Sequence, residues 1–205
     1  VRAFLKPHLV ASADDPVERA RALQAGGQHG AAVALLRDAV AAQPDEAAMA
    51  IELGRALALS GDAAGAESLV DRLSPAIQGD PPVKAVRALA HFARIVSSPD
   101  ETDAIQSARV AAGRALLREN VQAGLEALVG AMQRNRRYAA GQGRADLLQA
   151  FALAPVDHPG VAAARQVQLG EQAARPAQLR PEVGRGDGPH RVRALPVADD
   201  LGGED

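Results

Sequence analysis

Gly27-Gln28-His29-Gly30-Ala31-Ala32-Val33-Ala34-Leu35-Leu36-Arg37-Asp38-Ala39 and Gly61-Asp62-Ala63-Ala64-Gly65-Ala66-Glu67-Ser68-Leu69-Val70-Asp71-Arg72-Leu73 align without a gap at a spacing of 34 residues. Gly27 matches Gly61, Ala32 matches Ala66, Leu36 matches Val70 and Ala39 matches Leu73; upstream, Ala20 matches Gly54 and Leu23 matches Leu57. A fixed period of this length marks a repeat architecture built from one supersecondary unit. The small residues fall where two antiparallel helices cross, and the glycine falls where they turn. Helix axes approach to about 8–10 Å only when the residues at the crossing are small. Pro44 stands where such a unit ends. A third copy fits more loosely, with Ala112, Glu119, Gly124, Leu128 and Ala131 in the corresponding places. It follows the second by 58 rather than 34 residues, which leaves room for an inserted helix or irregular helical pair.

The pattern resembles the tetratricopeptide repeat, and the composition agrees with it. Hydrophobic residues make up 47% of the 205-residue chain, about half of them alanine, while aromatics are only 2%. Alanine is the best helix former, and the aromatic residues that favour strands are scarce. The expected fold is all-α: a tetratricopeptide-type antiparallel helical array over residues 13–175, followed by a disordered tail over 176–205. The tail holds four prolines and five glycines without apolar periodicity, too little to offset the entropy of ordering. Caps and prolines place the helices. Asp15-Pro16 opens the first, which closes near Gly26-Gly27; the second covers about 30–43. Asp45 caps a third running to Leu59, and Asp62 starts a fourth to about Leu73. Asp80-Pro81 opens a helix with Val86, Leu89, Ala90, Ala93 and Val96 on one stripe. Ser98-Pro99-Asp100-Glu101 reads as a capping box that begins a long helix to about Arg118. Further helices are expected near 121–135, 142–153 and 159–174.

Several chemistries are excluded or disfavoured by residue type. The chain has no cysteine, so it carries no disulfide, thiol nucleophile or thiolate metal site. His8, His29, His91, His158 and His190 are scattered without ligand spacing, so no metal or cofactor is expected. His91 reads as a packed or half-exposed helix residue. Asp14-Asp15, Asp45-Glu46 and Asp100-Glu101 fall at helix N-termini, where capping and the helix dipole explain them better than acid–base catalysis. Gly184-Arg185-Gly186-Asp187-Gly188 lacks the flanking strand and helix that a phosphate loop needs. With 23 basic and 25 acidic residues, nothing points to nucleic acid or an anionic membrane as partner. Arg134-Asn135-Arg136-Arg137-Tyr138 is the one dense basic cluster, read as cations at a helix C-terminus, with an anionic partner as the alternative. No apolar stretch has the length of a signal peptide or of a membrane span, and the cytoplasm is the expected location. No enzymatic activity is expected.

The remaining candidate site is the concave surface, which the first helix of each repeat lines. Val17, Arg21, Ile51, Arg55, Arg109 and Leu116 fall there, and Arg21, Ile51, Arg55, Arg109 and Leu116 are the expected protein-binding residues. Repeats that clamp a peptide's terminal carboxylate use lysine and asparagine at fixed groove positions. Here arginines are scattered and those asparagines are missing, which disfavours that clamp. A mixed apolar and basic groove suits an extended or helical segment of a partner, or an intramolecular neighbour.

Three stretches resemble the bacterial co-chaperones that join a thioredoxin domain to tetratricopeptide repeats, the chaperedoxins. Val1-Arg2-Ala3-Phe4-Leu5-Lys6-Pro7-His8-Leu9 is similar to the last helix of the family's thioredoxin domain, which makes residues 1–12 a remnant of it. Gly27 to Pro44 resembles its first repeat. Gly124-Leu125-Glu126-Ala127-Leu128, then Arg134 to Tyr138, Gly143-Arg144 and Leu147-Leu148-Gln149-Ala150-Phe151 resemble its closing repeat and following helix. The resemblance covers about residues 1–155 and implies a holdase that binds unfolding client proteins and passes them to the chaperonin. Two departures bound what carries over. The thioredoxin domain is missing except for its final helix, so no redox centre is inherited. The family's terminal helix is rich in Arg, Tyr, Leu and Phe, whereas Val161 to Arg175 is mostly Ala, Gln and Arg with no aromatic. The alternative is a scaffold or dimerisation arm for the absent thioredoxin domain, with little activity of its own. Val1 in place of methionine fits either an alternative start codon or a fragment of a longer protein.

Overall fold

The computed structural model describes residues 15–99, 103–155 and 157–173; side chains are described to residue 166. The expected N-terminal remnant over 1–12 and the tail over 176–205 lie outside them. The described residues form ten α-helices and no strand. Two helical hairpins come first: α1 (Pro16–Ala25) with α2 (His29–Ala42), and α3 (Ala47–Leu59) with α4 (Ala63–Asp71). A 3-10 turn at Pro75–Ile77 leads into α5 (Pro81–Ser97). The third hairpin is α6 (Ala104–Leu117) with α7 (Val121–Arg134), and α8 (Arg136–Ala140), α9 (Gln142–Leu153) and α10 (Pro159–Ala173) follow. The insertion between repeats is therefore one short turn and one long helix.

All three hairpins turn by the same device, including the one whose sequence match is loose. Gly27 and Gly61 have φ of 74° and 93°, and Glu119 in the third copy has φ of 60°. In each turn the next residue's N–H reaches back to the preceding helix: Gln28 to the Leu23 carbonyl at 2.8 Å, Asp62 to Leu57 at 2.9 Å, and Asn120 to Ala115 at 2.9 Å. This left-handed closure satisfies carbonyls that the helix end leaves free. Glu119 is the only non-glycine with positive φ among the described residues.

Short polar side chains cap several of the helices, although Asp80 at the cap position of α5 makes no such bond. Asp15 accepts from the Val17 N–H at 2.9 Å, and Asp62 from Gly65 at 2.8 Å. Asn120 accepts from Ala123 at 3.1 Å, and Asn135 from Tyr138 at 3.0 Å. Two expected starts are corrected. Helix α3 begins at Ala47 with Glu46 at the cap position, and no side chain caps it, so Asp45 does not hold that role. Helix α6 does not begin at Ser98-Pro99. Ser98 instead terminates α5, and Asp103 caps α6 by accepting from Ile105 and Gln106 at 2.7 and 2.8 Å. Asp103 can reach two free N–H groups at once, which fixes the start there; Asp100 and Glu101 lie outside the described residues.

Small residues set the helix approach. Ala20, Ala32, Ala66 and Ala112 are buried, and Gly54 and Gly124 take the same places in their repeats. A Cβ on Gly124 would stand 2.5 Å from Leu116 Cγ, and Leu116 is itself packed in the core. Gly124→Ala is therefore expected to lower stability by about 1–2 kcal/mol despite alanine's better helix propensity. Urea unfolding followed by circular dichroism measures it, and an unchanged midpoint would show that the α6–α7 crossing has slack.

Two apolar clusters fill the array. The first joins α1–α4 through Ala20, Leu36, Leu53, Leu57 and Val70, and it takes Val83, Val86, Leu89, Ala90 and Ala93 from α5. The second gathers Leu116, Leu125, Leu128, Met132, Tyr138, Leu147 and Val161 around Phe92. Helix α5 thus serves both, its wide apolar stripe facing the first and Phe92 the second. Gln78 fastens the turn before it, donating from Nε2 to the Val70 and Leu73 carbonyls at 2.8 and 3.0 Å.

Candidate protein-binding groove

The first helices of the first two hairpins, α1 and α3, face the turn between α6 and α7. Leu117 and Leu153 pack against the first cluster from that side. Two adjoining clefts result, of about 500 and 360 Å³, with Arg55, Leu59 and Glu119 shared between them. The larger is the more polar of the two and carries most of the charged side chains. Arg21, Gln24 and Ala25 of α1, His29 of α2, Arg55 of α3, and Arg118 and Glu119 of the α6–α7 turn line it. The smaller is mostly apolar, with Ile51, Leu59, Val86, Leu89, Leu116, Val121 and Leu153 among its walls.

Electrostatics in the groove is organised by ion pairs. Arg21 bonds Glu18 at 3.0 Å and also pairs with Glu52 of α3. The hydrogen bond with Glu52 raises the Arg21 pKa against the opposing effect of partial burial. Arg55 pairs with Glu119 across the groove, at the boundary between polar and apolar halves. Arg118 is exposed and has no acidic partner among the described residues. Among the described residues three buried side-chain atoms lack a hydrogen-bond partner, Gln24 Nε2, His29 Nδ1 and Glu52 Oε2, and all three residues line these clefts.

Four of the five expected groove residues therefore meet in one place. Arg21 and Arg55 line the polar half; Ile51 lines the apolar half, and Leu116, only 2% exposed, underlies it. Val17 packs against the first cluster. Arg109 is not a groove residue. It is 8% exposed and turned into the protein, because Asp146 draws it there.

Asp146 is the centre of a polar cluster that the sequence reading missed. Its carboxylate has no exposed surface and accepts four hydrogen bonds: Arg109 Nε at 2.7 Å, Arg109 Nη2 at 3.2 Å, Tyr138 Oη at 2.8 Å and His91 Nε2 at 2.8 Å. Gln106 accepts from Arg109 Nη1 at 2.9 Å. Burial alone would push the Asp146 pKa up, but the bonds from His91, Arg109 and Tyr138 outweigh it and hold the carboxyl below its ordinary value. Burial, together with the neighbouring carboxylate, pushes the Tyr138 hydroxyl far up, so it stays a donor. With every lone-pair direction of Asp146 taken, the cluster pins α5, α6, α8 and α9 together and leaves no free carboxylate for acid–base chemistry. The one sequence signal was Asp146 among Gly143, Leu147 and Ala150, a carboxylate on a buried stripe.

His91 is half-buried, as expected of it. Among the described residues no group of three or more His, Asp or Glu side chains could hold a metal ion, and no helix is long and apolar enough to cross a membrane. Of the basic cluster only Arg134 lies in the last turn of α7; Asn135 begins a new helix, so Arg136 and Arg137 open α8. Two family models, each described as a tetratricopeptide repeat, match residues 22–90 and 91–169. No curated protein and no solved structure matches the chain.

Proposed function

Because the chain is a tetratricopeptide-repeat protein and such repeats are protein-interaction modules, we propose that it acts without catalysis by holding a segment of another protein in the groove between α1, α3 and the α6–α7 turn. The observation that carries this reading is the groove's composition: an apolar cleft continuous with an arginine-bearing one. Gln24, His29 and Glu52, each with a buried atom lacking a partner, support it further. A partner segment that pairs such an atom recovers up to about 1–3 kcal/mol for each. The resemblance to the thioredoxin-linked co-chaperones makes unfolding client proteins the proposed partners, with the chaperonin as the proposed recipient.

A holdase assay tests it. At near-stoichiometric ratio the chain is expected to suppress aggregation of a heat-stressed client enzyme. Ile51→Asp puts a charge on the wall of the apolar cleft and is expected to remove most of that protection while the circular dichroism spectrum is retained. Aggregation that proceeds unchanged in the presence of the wild-type chain would refute client binding.

A further inference from the structure

Glu119 occupies a place that the other two repeats give to glycine. Gly27 and Gly61 close their turns at φ of 74° and 93°, and Glu119 does the same at 60° with a full side chain. The left-handed conformation costs a residue with a Cβ roughly 1–2 kcal/mol. A compensating contact is therefore to be sought, and the Glu119 carboxylate makes one, to Arg55 of α3. Yet the Glu119 side chain is 71% exposed and that of Arg55 32% exposed, so water screens the pair. An ion pair in that setting is weak and readily exchanged for another carboxylate.

The position of the pair matters more than its strength. Arg55, Leu59 and Glu119 are common to the apolar and polar clefts, so the pair stands where the two join. Arg118 adds a cation without an acidic partner among the described residues on the polar side, where Arg21 also lies. An incoming chain that fills the apolar cleft must therefore meet Arg55 next.

We infer that Glu119 is a built-in stand-in for an acidic side chain of the partner. The groove selects protein segments in which bulky apolar residues fill the cleft and a nearby Asp or Glu takes Arg55 from Glu119. The displaced Glu119 turns to solvent, and the partner's carboxylate gains Arg118 as a second neighbour. This rests on the groove being the binding site and adds a preference to it: apolar segments flanked by acid are held, while those flanked by neutral or basic residues meet Glu119 still in place.

The test uses the full chain and two fluorescein-labelled glycine-serine peptides, each carrying leucine and phenylalanine followed one residue later by glutamate or by glutamine. In fluorescence anisotropy the glutamate peptide is expected to bind more tightly, by about fivefold, the upper worth of an exposed ion pair. Glu119→Gln is expected to widen that ratio by removing the competitor, and Arg55→Ala to abolish it. Circular dichroism confirms that both variants fold, and Glu119→Gly supplies a second variant free of the left-handed strain. Equal affinity for both peptides in the wild-type and Glu119→Gln chains would overturn the inference while leaving the groove as the site. Failure of both peptides to bind any variant would overturn the groove reading as well. A dimer of the unliganded chain in sedimentation velocity that Ile51→Asp dissolves would give the groove to a second copy, and would also overturn it.

Discussion

Replacing Asp146 with asparagine is expected to lower the unfolding free energy by about 3–5 kcal/mol, the cost of leaving a buried charge without its counter-ion. Arg109 would remain 8% exposed with its cation facing an amide, and Tyr138 and His91 would each lose a charged acceptor. The four donors come from α5, α6 and α8 onto one residue of α9, so the loss is shared by the whole second half of the array. The substitution also identifies its own mechanism through pH. The folded carboxyl titrates below its ordinary value, so its contribution is complete above the unfolded pKa of about 3.9. That contribution disappears as pH falls from there through the lower folded pKa. Urea midpoints of the wild-type chain are expected to fall across that acid window, and those of Asp146→Asn to fall less steeply there. The double variant Arg109→Met, Asp146→Leu removes both charges and is expected to recover part of the loss. Equal stability of Asp146→Asn and the wild type at neutral pH would show that the cluster adds nothing.

The second large effect is expected at Phe92, the largest fully buried side chain among the described residues. Phe92→Ala is expected to cost about 3–5 kcal/mol, combining lost burial with the cavity left behind. The site has little means of collapsing around such a cavity. On one side α6 comes so close that a Cβ on Gly113 would lie 3.3 Å from the Phe92 carbonyl oxygen. On another, His91 meets the Phe92 ring edge to face, with centroids 5.0 Å apart. Phe92 belongs to the second apolar cluster while most of α5 faces the first. Hydrogen exchange should therefore quicken more in α6, α7 and α9 than in α1 and α2. Uniform quickening along the chain would mean that the array unfolds as one unit and α5 transmits every loss.

Both predictions concern contacts between residues far apart in the chain, and that is where sequence and structure part. The helical hairpins were legible from Ala20, Gly27, Ala32 and their partners one period later. Period, small crossing residues and turn glycines are local requirements of the unit, and each must be met within it. The N-caps Asp15 and Asp62 were legible for the same reason, since a cap acts over three residues. The start of α6 was misread because Asp103 and Ser98 both satisfy the local rule. Only the packed chain shows that Asp103 holds two N–H groups while Ser98 ends α5.

Most of the groove was also foreseeable. Arg21, Ile51, Arg55 and Leu116 follow from the repeat register, because the register decides which face of the first helix turns inward. Arg109 obeys the same register and still leaves the groove. Its direction depends on a carboxylate 37 residues later, and no periodicity encodes that pairing. The sequence by itself determined an all-helical array of turned hairpins, since that outcome depends on interactions within each repeat. The tertiary structure alone decided where the third hairpin lies, bringing Glu119 to Arg55 from 64 residues away and closing the groove into two clefts. Such contacts join surfaces that exist only after the helices have formed and packed, and no local pattern of residues specifies them.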